Sequence, residues 1–101
     1  ALSMGRPDSI YWSDHADEDV FRLIEFRFRQ TGNYVHASGL VNELIDDIQL
    51  TLLGNPRIGR RMDEHQPDEV RRLLVYQYEI RYQIIDAEIY ILRVFHTLED
   101  R

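Results

Sequence analysis

Tyr78-Glu79-Ile80-Arg81-Tyr82-Gln83-Ile84 runs into Asp86-Ala87-Glu88 and then Ile89-Tyr90-Ile91-Leu92-Arg93-Val94-Phe95-His96, which reads as two strands around a tight turn. Tyr78, Ile80, Tyr82 and Ile84 alternate with Glu79, Arg81 and Gln83. A strand with one buried face has this period of two. The second run is apolar at both parities apart from Arg93, which places that strand centrally in a sheet. Residues 70–75 add a further strand upstream, so the C-terminal third of the chain is a meander of three strands.

Working outward, the period changes to 3.6. Ala37, Leu40, Val41, Leu44, Ile45, Ile48 and Leu52 follow the i, i+3, i+4, i+7 rule, and Gly54-Asn55-Pro56 stops the helix. Before it, Ala16, Val20, Leu23 and Ile24 share a face of another helix, capped by Ser13 or Asp14 and ended by Thr31-Gly32-Asn33. The short link between them makes a helical hairpin. Ile10-Tyr11-Trp12 has high β-propensity and reads as a first strand. The expected order is β-α-α-β-β-β: an α+β domain with a helical hairpin on a mostly antiparallel four-stranded sheet. Residues 55–69 read as one long polar loop. Residues 10–101 form a single domain, and residues 1–9 read as a disordered or tag-derived N-terminus.

Composition narrows the chemistry. The chain of 101 residues has no cysteine, so disulfides, thiolate catalysis and cysteine zinc sites are excluded, and a reducing cytoplasm suits it. All twelve basic residues are arginine, which excludes a lysine base or Schiff base. The net charge of −6 opposes tight binding to nucleic-acid phosphates, although arginines can still cluster locally. No apolar run approaches the ~20 residues that cross a bilayer.

Several groups are candidate sites. His15 and Asp19, at i and i+4, would reach one metal ion, but Asp14, Asp17, Glu18 and Asp19 open a helix, where the dipole alone favours acids. No metal and no cofactor is expected. Tyr76, Tyr78, Tyr82 and Tyr90 read as core and β-propensity rather than as a base-stacking platform. Arg57, Arg60 and Arg61, followed by Arg71 and Arg72, form the dense basic stretch, with Asp63, Glu64, Asp68 and Glu69 as balancing acids. His96 ends the last strand beside Arg93; its position alone reads as structural, and a general acid or base is the other role open to it.

Taken in order, the motifs resemble the RelE/ParE toxin superfamily. Trp12-Ser13 with Ala16 and Asp19 resembles the opening of these toxins. Leu53-Gly54-Asn55-Pro56-Arg57-Ile58-Gly59 resembles their L-x-x-P-x-x-G hinge, and residues 70–73, 78–82 and 89–96 their strand signature. The resemblance implies a toxin of a bacterial type II toxin–antitoxin system, in the cytoplasm, with a cognate antitoxin as partner. Growth arrest and plasmid stabilisation go with that role.

It also implies one of two activities. RelE-like members cleave mRNA on the ribosome; ParE-like members poison DNA gyrase. The nuclease needs an arginine on the middle strand, where this chain aligns Glu79, and His96 is followed by Thr97 rather than tyrosine. The balance favours the ParE-like branch, with no catalytic residue. The target-binding surface is then expected from Arg57, Arg60, Arg61, Arg71, Arg72, Arg93 and His96, extending to Arg101. For the nuclease alternative the catalytic groups would be His96, Arg72 and Arg81.

Overall fold

The computed structural model describes residues 10–99; the N-terminal segment 1–9 and the last two residues, including Arg101, lie outside the described residues. The order is β1 (Ile10–Trp12), α1 (Asp14–Thr31), α2 (Tyr34–Gly54), β2 (Arg60–Arg61), a short 3-10 turn (Asp63–His65), β3 (Glu69–Val75), β4 (Tyr78–Ile85) and β5 (Glu88–His96). The strands form one sheet in the order β1-β5-β4-β3-β2. β1 runs parallel to β5 and the other pairings are antiparallel. The sheet therefore has five strands, not four, and β4 is its middle strand; β5 lies between β4 and β1. The extra strand is Arg60-Arg61, two exposed residues within the expected loop that pair with Arg72 and Arg71. A pair so short and polar leaves no periodicity to read.

Local chemistry explains the helices. Ser13 caps α1 through its side chain, which accepts a hydrogen bond from the Ala16 N–H. Gly32 ends it at φ 70, a left-handed position that glycine takes without Cβ strain. Asn33 caps α2 by accepting from the His36 N–H. Both helices pack on one sheet face. Ala16 and Leu23 of α1, and Val41, Leu44, Ile48 and Leu52 of α2, meet Tyr78, Ile80, Tyr82, Ile84, Ile89, Ile91 and Val94 of the strands. Tyr78 and Tyr82 are thus core residues as expected, whereas Tyr76 is exposed in the β3–β4 turn.

Candidate functional site

The other face of the sheet is where the charge gathers. Residues opposite each other across a ladder point to the same face. Arg60 pairs with Arg72, Arg72 with Arg81, and Arg81 with Arg93. Four arginines therefore cross four neighbouring strands in one row, spanning three strand spacings, about 14 Å. A bulge makes this possible. Tyr82 pairs with Ile91 and Arg81 with Arg93, so Leu92 is the extra residue. Plain alternation from Ile89 and Ile91 would have turned Arg93 into the core; the inserted residue re-aims it to the open face.

Two buried carboxylates hold the row. Glu79, 3% exposed, accepts from Arg81 Nε at 2.7 Å and faces Arg72 Nε at 3.2 Å. Burial pushes its carboxyl pKa up, but the two guanidiniums outweigh that and leave it below the usual range. Asp19 is 2% exposed and accepts from Arg93 Nε at 2.9 Å, from the Val94 N–H at 2.8 Å and from Arg22. Burial again raises its pKa, and the bonds from Arg93, Val94 and Arg22 more than reverse it. Arg22, Arg81 and Arg93 also surround the Phe95 ring, at 5.6, 5.4 and 4.6 Å from its centroid. Arg60, at the far end, has no ion pair among the described residues.

Asp19 does more than balance charge. β1 covers the outer edge of β5 only from Ile89 to Ile91. Beyond that, side chains replace the missing strand. The Ser13 N–H donates to the Ile91 carbonyl and its hydroxyl to that of Leu92. Asp19 takes the Val94 N–H, Arg22 donates to the Val94 carbonyl at 2.8 Å, and Glu99 takes the His96 N–H at 2.8 Å. The acid read from the sequence as helix-dipole decoration is instead the edge cover of β5. His15, four residues before Asp19 on the same helix, is exposed.

The expected target-binding residues divide. Arg60, Arg72 and Arg93 lie in the row, joined by Arg81. Arg57 and Arg71 both clamp Glu69, with Nε to oxygen distances of 2.9 Å. Arg71 also donates to the Gly59 carbonyl at 2.7 Å, while the Tyr82 hydroxyl donates to the Pro56 carbonyl and accepts from the Gly59 N–H. That group fastens the hinge to the sheet. Arg61 pairs with Arg71, so it belongs to the opposite face from Arg60.

His96 is buried on the core side, opposite Tyr78, between the Phe26 and Tyr78 rings at 4.9 Å each. Its Nδ1 accepts from the Leu98 N–H. Burial lowers its pKa and the Arg27 charge adds to this, favouring the neutral ring. The nuclease candidates are accordingly not brought together: Arg72 and Arg81 face one side of the sheet and His96 the other. A groove of about 490 Å³ beside His96, lined by Arg27, Leu40, Glu43, Tyr76 and Tyr78 among others, contains none of the row.

Comparison with known proteins assigns the chain to a family. The family described as "ParE toxin of type II toxin-antitoxin system, parDE" matches residues 10–101. The chain belongs to the ParE toxin family. No curated protein matches it. A solved structure titled "Chromosomal ParDE TA system from P. aeruginosa" is similar in fold, with a TM-score of 0.70 at 20% identity over 87% of this chain and 94% of that one. Among the described residues, no helix is long and apolar enough to cross a membrane.

Proposed function

We propose that this ParE-family toxin poisons bacterial DNA gyrase by binding, through the open sheet face, and that a cognate antitoxin neutralises it. The observation that carries the reading is the separation of His96 from Arg72 and Arg81 by the thickness of the sheet. Cleavage of RNA needs a proton-transfer group and a phosphate-stabilising group within reach of one phosphodiester. Here the histidine is buried and Glu79 already engages both arginines. A binding mechanism needs none of that alignment; it needs an exposed and chemically distinct surface, which the arginine row supplies.

An antitoxin partner fits the opposite side of the molecule. Phe21, Val35 and Leu50 are exposed apolar residues on the helices, and Phe21 borders a groove shared with Trp12, Val20 and Ile45. A partner segment covering this surface gains from apolar burial. Binding to the folded toxin alone raises its melting temperature by linkage. An unchanged melting temperature with excess antitoxin would count against neutralisation by direct contact.

The deciding experiment supplies gyrase with relaxed plasmid and adds the purified toxin without antitoxin. The reading requires loss of supercoiling with accumulation of cleaved plasmid. Full supercoiling at a large molar excess of toxin overturns it.

A further inference from the structure

We propose that the arginine row is a docking track for an extended acidic segment of a protein partner. This rests on the reading of the open face as the target-binding surface and adds the chemistry that the face selects.

The chain carries a net charge of −6, yet one sheet face presents Arg60, Arg72, Arg81 and Arg93 in a line. Asp19 and Glu79 offset about half of that charge from within. Such a face attracts a few carboxylates at short range, while the whole chain repels a polyanion with a charge on every residue. The paired arginines stay available. Arg72, Arg81 and Arg93 each turn Nε to a buried carboxylate and keep 36%, 38% and 38% of their side-chain surface exposed. Their anchoring fixes where the guanidiniums sit, so less freedom is lost on binding.

Alternate residues of an extended chain lie on one side, about 6.7 Å apart, so three acids at i, i+2 and i+4 cover about 13 Å. The row spans about 14 Å. An extended acidic segment lying across the strands would therefore meet all four guanidiniums with three carboxylates.

Leu74, exposed, borders the row on β3 and Tyr90 borders it on β5, both on the same face by register. Tyr90 stacks on Tyr11 rather than standing open for a base, and both hydroxyls donate to Glu88. A carboxylate beside the track favours a protein segment with spaced acids over a continuous phosphate backbone.

The test uses the full chain and fluorescence anisotropy with a labelled octapeptide of alternating glutamate and serine. An alternating lysine–serine octapeptide and a short oligothymidylate serve as comparison probes. The acidic peptide is expected to bind saturably and to weaken several-fold as salt rises. Arg60→Glu should weaken it about tenfold or more, whereas Arg29→Glu, the same charge change at the C-terminal end of α1, should leave it unaltered. Glu79→Gln releases Arg72 and Arg81 and should tighten binding about threefold. Arg60 is exposed and unpaired among the described residues, so its variant keeps the fold and carries the test if Glu79→Gln does not. Equal losses in the two glutamate variants, no saturable binding of the acidic peptide, or tighter binding of the oligothymidylate would overturn the track. Gyrase inhibition without acidic-peptide binding overturns the track and leaves the gyrase reading standing. Peptide binding without gyrase inhibition does the reverse.

Discussion

The two faces of the sheet are made from the same strands and solve opposite problems. On the helix side, Tyr78, Ile80, Tyr82 and Ile84 of β4 alternate inward and lose their water to α1 and α2. On the open side, Glu79 and Arg81 of that same strand build part of a row of guanidiniums held by buried carboxylates. The core face is stabilised mainly by buried apolar area and keeps its charged cluster, Arg57, Glu69 and Arg71, at the hinge end; the open face keeps its cations because each buried acid meets at least two of them. Burial of Asp19 and Glu79 is thus tied to the position of the arginines. Removing an acid leaves cations without their anchor, while removing Arg60 leaves nothing behind.

The largest expected effect is that of Asp19→Ala. It strips Arg93, Arg22 and the Val94 N–H of one shared partner and opens the edge of β5. The expected cost is about 3 kcal/mol in urea unfolding. That is the low end for a buried pair, because Arg22 and Arg93 keep 36% and 38% of their side-chain surface in water. A loss below about 0.5 kcal/mol would show that the edge needs no cover.

Next comes the hinge. A Cβ at Gly59 would lie 2.7 Å from the Tyr82 hydroxyl and 3.0 Å from the Arg72 carbonyl, so Gly59→Ala should cost about 2 kcal/mol. Tyr82→Phe, which removes the hydroxyl bonded to Pro56 and Gly59, should cost about 1–2 kcal/mol. The double variant should fall short of the sum, because the first clash is with the deleted oxygen.

Acid should loosen both faces in sequence. His96 has a lowered pKa in the fold, so below its ordinary value of 6.5 the unfolded chain takes up the proton first. Its contribution is present above that pH and is lost as pH falls toward the folded pKa. Asp19, Glu79 and Glu99 are also lowered, so their contribution is lost further down, as pH drops through the carboxylate range. Melting temperatures against pH should therefore fall in two stages, and His96→Gln should remove the upper one alone.

The smallest expected effect is a gain. Tyr76 is exposed at φ 54 in the two-residue β3–β4 turn, where asparagine is better tolerated. Tyr76→Asn should stabilise by about 0.5 kcal/mol without altering either face.

The core face was legible because alternation and helical periodicity report burial directly. Ser13, Gly32 and the Gly54-Asn55-Pro56 stop marked the helix ends within a residue or two. The open face was not. Counting outward from the Asp86-Ala87 turn pairs Arg81 with Leu92; only the bulge brings Arg93 opposite Arg81. Nothing in the composition of Leu92 announces it. The two-residue β2 has no pattern of its own, so Arg60 read as a loop residue. Asp19 sat among three other acids at a helix start, and no local signal separates the one that reaches a neighbouring strand from those that face water. Glu79 could be read as the absence of a nuclease arginine, but its role as the anchor of Arg72 and Arg81 depends on cross-strand register.

Under the gyrase reading the open face is the working surface. The direct measurement is the toxin concentration that halves gyrase supercoiling for the wild type, Arg60→Glu and Arg29→Glu. An increase of about tenfold or more is expected for Arg60→Glu alone. Equal potency for all three proteins, or equal loss in both variants, would contradict it.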